Sequence, residues 1–153
     1  MFKIRKKSPN RFEMIVYGAM RPEEMEGSKR HQEICVFEKA VDNLVVIGFE
    51  RAEAYFMMLR LVAGPKTDLH LVHYRQSPVG EQLILVDAAR GLLIQADEAT
   101  LVYYLKKIGE TPDAIERLVC TAIGRFPDPD QIGEARFVRL FGRAQLVKVS
   151  KAA

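Results

Sequence analysis

Apolar and polar positions follow different patterns along this chain. Near the N-terminus apolar residues alternate with polar ones, which is typical of strands, and the turn-forming Lys7-Ser8-Pro9-Asn10 separates two such segments. Farther along, short apolar runs stand between turn residues. The pattern predicts five strands, at residues 2–6, 12–17, 69–74, 82–86 and 92–95.

A further strand is predicted at the apolar run Leu44-Val45-Val46-Ile47, because a short β-branched run is typical of a strand buried on both faces. Residues 50–63 are rich in helix formers and are followed by Gly64-Pro65, a typical helix end. With the strand at residues 69–74, these segments predict a central strand–helix–strand unit, a βαβ crossover with parallel strands.

Toward the C-terminus the apolar residues recur every three or four positions, which predicts helices. One helix is expected to begin after Asp97, a good N-cap residue, and to end at Gly109. Another is expected to begin at Thr111-Pro112 and to end at Gly124. Helices therefore dominate the last third of the chain.

Three segments are less clear. Residues 29–42 favour a helix, although Ile34-Cys35-Val36-Phe37 also fits a strand, and residues 131–147 fit both a helix and a strand. Residues 18–28 contain little to bury and three glutamates, so we expect a mobile loop there. The elements together predict an α+β or α/β fold: a single domain over residues 1–153, with a mixed sheet of about five or six strands and helices near the C-terminus.

The composition is that of an ordinary globular protein, with 48% hydrophobic and 28% charged residues. No apolar run approaches the roughly 18–20 residues of a membrane span. Two cysteines make neither a disulfide framework nor a zinc site. Neither G-x-x-x-x-G-K-[ST] nor G-x-G-x-x-G occurs, so no phosphate-binding loop is indicated. We therefore expect a cytoplasmic protein with no cofactor and no metal ion.

The positive charge is concentrated at the two ends of the chain, although the net charge is only +3. Residues 1–11 and residues 136–153 each contain five Lys or Arg and no acidic residue. Chain termini often lie near each other, so the two ends are expected to form one basic patch that attracts nucleic acid or an acidic protein. The alternative is that these charges are only solvated. The residues predicted to contact the partner are Lys3, Arg5, Lys7, Arg136, Arg139 and Arg143.

These charges favour a non-enzymatic binding protein. The alternative is a small enzyme or a small-molecule-binding domain with a site near His73 and Asp87, which lie near the ends of two predicted strands. No nucleophile motif accompanies them. His70 and His73 form an H-x-x-H, but on a strand their side chains point to opposite faces, so no metal site is expected.

The helix predicted at residues 50–63 is apolar nearly all round. The face expected to cover the sheet consists of Ala52, Phe56, Leu59 and Ala63. The opposite side carries Met57, Met58 and Leu61. Either another helix covers these three residues, or they form an exposed patch through which two copies associate. A self-associating subunit, most simply a homodimer, is therefore a further possible function.

Overall fold

A computed structural model describes residues 2–17, 31–75, 77 and 80–152 of the chain. Six strands and seven helices lie within these ranges. The strands are β1 (Phe2–Ser8), β2 (Arg11–Val16), β3 (His31–Val36), β4 (Leu69–Tyr74), β5 (Gln82–Asp87) and β6 (Leu92–Ala96). The helices are α1 (Phe37–Val46), α2 (Arg51–Ala63), α3 (Glu98–Lys107), α4 (Pro112–Ile123), α5 (Pro129–Ile132), α6 (Glu134–Phe141) and α7 (Arg143–Ala152). The mobile loop predicted at residues 18–28 lies outside the described residues.

The six strands form one sheet in the order β3-β2-β1-β6-β5-β4. The fold class is α+β, which confirms the sequence prediction. Every pair of neighbours within this sheet is antiparallel, so the expected mixture with parallel strands is wrong. Short turns join β1 to β2 and β5 to β6, and connections of that length allow only antiparallel neighbours.

Helices α1 and α2 cover one face of the sheet. Strand residues on that face alternate with residues on the other face, so Ile4 lies in the core beneath the helices while Arg5 faces the opposite way. The core beneath the helices includes Ile4, Phe12, Ile84, Leu93, Leu44 and Met58. On the other face Leu85 and Ile94 are also buried. Helix α3 lies on this second face, since the Tyr104 hydroxyl donates a hydrogen bond to Asp87 at 3.0 Å.

The strand predicted at Leu44-Val45-Val46-Ile47 is wrong, and with it the βαβ unit, because this run forms the end of α1 and the C-cap that follows. Val41 and Leu44, three positions apart, are both fully buried against the sheet, and this helical spacing outweighs the β-branched run. Residues 31–42 contain both a strand and a helix: residues 31–36 form β3, and residues 37–42 begin α1. Strand β3 pairs with β2, with Cys35 opposite Phe12, and α1 begins directly after it.

Glycines separate short helices in the C-terminal part of the chain. Helix α4 begins and ends as predicted, with the Thr111 side chain accepting a backbone N–H and Gly124 in the left-handed conformation. Residues 131–147, left open by the sequence, are helical apart from Gly133 and Gly142. These two glycines have φ values of 92° and 89°, which other residues rarely adopt, so they divide α5, α6 and α7.

The chain divides into two compact units, Met1–Tyr104 and Leu105–Ala153. The first contains the sheet with α1 and α2, and the second contains α4 to α7. The single domain expected from the length stays a prediction. Within the described ranges, no helix is long and apolar enough to cross a membrane.

Candidate functional site

The basic residues predicted as contacts on β1 differ in how accessible their charges are. Lys3 is buried on the sheet face opposite α1 and α2. Lys7 forms an ion pair of 2.9 Å with Glu13, a buried residue of the neighbouring strand β2. Arg5 is half-buried and makes no ion pair among the described residues. Two of the three predicted contacts on this strand, Lys3 and Lys7, are therefore buried or paired with a carboxylate.

The two arginines of α6 are neutralised by carboxylates of α4. Arg136 lies 3.2 Å from both Asp113 and Glu116, and Arg139 lies 3.1 Å from Asp113. All four side chains are at least partly exposed, so each pair contributes little to stability, on the order of 0–1 kcal/mol. The pairs nevertheless offset the charge that α6 would present to an anion.

Arg143 does not share the helix of Arg136 and Arg139. In a single helix over residues 131–147 these three side chains would share a face, but Gly142 ends α6 and Arg143 begins α7. The positive φ of Gly142 interrupts the helical spacing between Arg139 and Arg143, so the three side chains do not share a helix face.

Helix α7 presents cations that have no counter-ion among the described residues. Arg143, Lys148 and Lys151 are exposed, the helix contains no acidic residue, and none of the three makes an ion pair with a described residue. The apolar residues Leu146 and Val149 are only half-buried. Lys148 and Lys151 were missed as site residues, although the acid-free C-terminal stretch of the sequence already contained the signal.

A shallow groove runs along α7 within the second unit. Its lining includes Asp130 and Glu134 as well as Arg143 and Lys151, with Leu146 among the apolar residues between them. Carboxylates therefore share one side of α7 with its cations. Lys148 does not line this groove, so its ammonium group is the cation of α7 least influenced by Asp130 and Glu134.

The alternative site near His73 and Asp87 is not assembled. Asp87 is fully buried, and its carboxylate accepts hydrogen bonds from the Arg90 backbone and guanidinium and from the Tyr104 hydroxyl, at 3.0–3.2 Å. In the sheet register Asp87 lies opposite Leu69, whereas His73 lies four residues farther along β4. That separation is roughly 13 Å along the strand. His73 instead contacts Glu81 at 3.3 Å.

Other reactive or metal-binding groups are not brought together within the described ranges. His70 and His73 lie on opposite faces of β4, as the strand prediction required. No group of three or more His, Cys, Asp or Glu in the described part of the chain could hold a metal ion. Burial, and after it the Glu33 carboxylate, raises the pKa of the Cys35 thiol, which favours the unreactive protonated form.

The two faces of α2 are the reverse of those predicted. Met57, Met58 and Leu61 are 1%, 0% and 2% exposed and lie in the core, so the exposed patch predicted there is wrong. Phe56 and Leu59, expected to cover the sheet, are 48% and 53% exposed. Because α2 is apolar all round, periodicity alone could not select the buried face, and flexible methionines fill the core under it. Self-association itself stays a prediction.

Neither protein-family models, nor characterised proteins, nor solved structures give a match to this chain.

Proposed function

We propose that this chain binds nucleic acid through phosphate contacts made by α7. The observation that carries the proposal is the set of three exposed cations, Arg143, Lys148 and Lys151, on a helix without acidic residues or ion pairs among the described residues. Lys and Arg that lack a counter-ion are available to replace the cations condensed on a phosphate backbone. Such contacts bind with little base specificity.

The distribution of charge between the two units supports this location. Residues 105–153 contain nine Lys and Arg against six Asp and Glu, a net charge of +3, whereas residues 1–104 contain fourteen of each sign. The excess positive charge of the chain therefore belongs to the second unit. A net positive segment attracts a polyanion over about a Debye length, roughly 8 Å at physiological salt.

The cations of α7 are spread along and around the helix. Lys148 and Lys151 follow Arg143 by five and eight residues, which places them about 7.5 Å and 12 Å farther along the axis and about 140° and 80° around it. Contacts from all three cations, the most that α7 offers, correspond to a salt-dependence slope of roughly −2.7 in the plot of log affinity against log salt concentration. This magnitude describes a weak, non-specific binder.

Binding of a fluorescent DNA duplex, measured by anisotropy at low salt, tests the proposal. The triple variant Arg143→Gln, Lys148→Gln, Lys151→Gln should lose at least about tenfold in affinity, because it removes every cation of α7. The matched control is Arg136→Gln with Arg139→Gln, whose guanidinium groups are already paired, and should weaken binding by less than about threefold. No binding at low salt, or equal losses in the two variants, would refute the proposal.

The same experiment addresses the alternative acidic partner. An extended poly-glutamate chain carries about one charge per 3.5 Å, against one per roughly 1.7 Å in duplex DNA, so binding it releases fewer condensed counter-ions. It should therefore compete for α7 less strongly than DNA of equal total charge. Competition as strong as that of DNA would favour an acidic protein. The single basic patch combining both chain ends, the cytoplasmic location and the homodimer stay predictions.

A further inference from the structure

Strand β4 is an edge of the sheet whose outer side is open in the described part of the chain. It pairs with β5 only, and no backbone hydrogen bond joins β4 to a described residue outside the sheet. Its outward N–H and C=O groups are therefore available to another extended segment. Open edges of this kind bind peptides by strand addition in several classes of protein domain.

Helix α2 flanks this edge along its whole length. The Phe49 ring, just before α2, lies 4.4 Å from the ring of Tyr74, at the end of β4. Farther along the helix, the Phe56 ring lies 5.3 Å from the imidazole of His70. At the far end, Arg60 pairs with Asp68 at 2.5 Å, directly before β4. The helix therefore runs antiparallel to β4 and lies beside the open edge.

A groove of about 390 Å³ lies between α2 and the edge strand β4. Its lining residues are Ala52, Glu53, Phe56, Met57, His70 and Val72. Phe56 is about half exposed, although exposing an aromatic ring gives up the burial that stabilises most such rings. Side chains of an added strand alternate, so every second one would enter this apolar groove.

The charges around the groove define the chemistry of the occupant. Glu53 is exposed and makes no ion pair among the described residues, so its carboxylate complements a cationic side chain. Arg60 is neutralised by Asp68. Burial, and then the Arg60 guanidinium, lowers the pKa of His70, so its imidazole is neutral at pH 7 and adds no charge to the groove.

We propose that β4 and α2 bind an extended peptide that adds to the sheet edge. The peptide places aliphatic side chains against Phe56 and His70 and a Lys or Arg near Glu53. The six residues of β4 span about 20 Å, and the helix and edge together are about 16 Å wide, which offers roughly 320 Å². A stable interface between two copies usually needs about 800 Å² from each. The area therefore favours a short extended segment over a second copy of the chain.

Selection of a displayed random heptapeptide library on the full chain tests this proposal. The selected peptides should alternate aliphatic and polar residues and contain a basic residue. A selected peptide, synthesised and labelled, should bind the Phe56→Glu variant at least about tenfold more weakly than the parent. It should bind Val46→Glu, which alters a side chain 82% exposed on α1, as well as it binds the parent.

Two further measurements do not depend on the folding of the Phe56→Glu variant. N-methylation of the peptide amides on one edge should abolish binding, because strand addition requires those N–H groups. Glu53→Lys should weaken binding of the basic peptide and strengthen binding of its acidic counterpart. The proposal is overturned if no peptide is selected, or if the affinity is unchanged both by N-methylation of one edge and by N-methylation of the other. It is also overturned if the parent is a dimer that Phe56→Glu converts to a folded monomer, since a second copy then occupies the groove.

Discussion

Helices α2 and α7 have 13 and 10 residues, but they relate to the rest of the chain in opposite ways. Helix α2 has four buried residues and is held by packing against the sheet, and its cations Arg51 and Arg60 are paired with Asp42 and Asp68. Helix α7 has no fully buried residue with a described side chain, and its three cations are unpaired within the described ranges. A helix that contributes little to a core and leaves its charges unpaired is better suited to binding a partner than to stabilising the fold.

A large effect expected from this difference concerns the stability of the first unit. Met58→Ala should lower the free energy of unfolding by about 2–5 kcal/mol, because it leaves a cavity in the core under α2. Leu146→Ala in α7 should cost less than about 1 kcal/mol, since Leu146 is only half-buried. Urea unfolding of both variants measures the two values. Equal losses of unfolding free energy in the two variants would show that α2 and α7 do not differ in their contribution to stability.

Charge in the core of the first unit should be still less tolerated. Met58→Lys with Leu61→Glu introduces two ionisable groups at fully buried positions, and removing each charge from water costs several kcal/mol even when the two can pair. This variant should not fold, as circular dichroism and light scattering would show. A folded monomer would mean that the α2 face assigned to the core is exposed after all.

A smaller effect should follow from releasing the arginines of α6. Asp113→Asn with Glu116→Gln removes the carboxylates paired with Arg136 and Arg139. Nucleic-acid affinity should then rise, and the salt slope should steepen by up to roughly 1.8, the value for two added phosphate contacts. Stability should change by no more than about 1 kcal/mol, because these pairs are exposed. An unchanged slope would mean that α6 does not lie within reach of the bound phosphates.

The smallest effect is the pH dependence of stability near α2. The pKa of His70 is lowered in the folded chain, so the unfolded chain binds its proton more readily. Neutral His70 therefore contributes to the free energy of unfolding fully above its ordinary pKa of 6.5. This contribution is lost as the pH falls toward the lowered pKa of the folded chain. His70→Gln should remove this part of the pH profile, measured as the unfolding midpoint between pH 7 and pH 5. Cations of α7 should show no such change over that range, because Lys and Arg stay protonated.

Local signals in the sequence predicted much of the fold. Alternation and turn residues placed β1, β2, β5 and β6, and capping chemistry placed α4, because these signals depend on residues close in the chain. Tertiary contacts decided the rest. Val45 and Val46 favour a strand locally, but burial of Val41 and Leu44 against the sheet keeps them in a helix.

The candidate site could be predicted only in part, because ion pairs between distant residues decide which charges are available. Arg139 and Arg143 look alike in the sequence, yet Arg139 meets Asp113, 26 residues away, whereas Arg143 begins a separate helix. No short-range pattern reveals that pairing. The open edge beside α2 was likewise hidden, because the buried face of an apolar helix depends on what packs against it.

Phosphate binding by α7 can be measured through the salt dependence of DNA binding by the parent chain and by the triple variant of α7. For the parent, the affinity should fall roughly 40-fold between 50 mM and 200 mM salt, in line with a slope of about −2.7. For the variant Arg143→Gln, Lys148→Gln, Lys151→Gln, any residual binding should have a slope close to zero. Phosphate binding by α7 is refuted if the parent does not bind at low salt or if both proteins show the same slope.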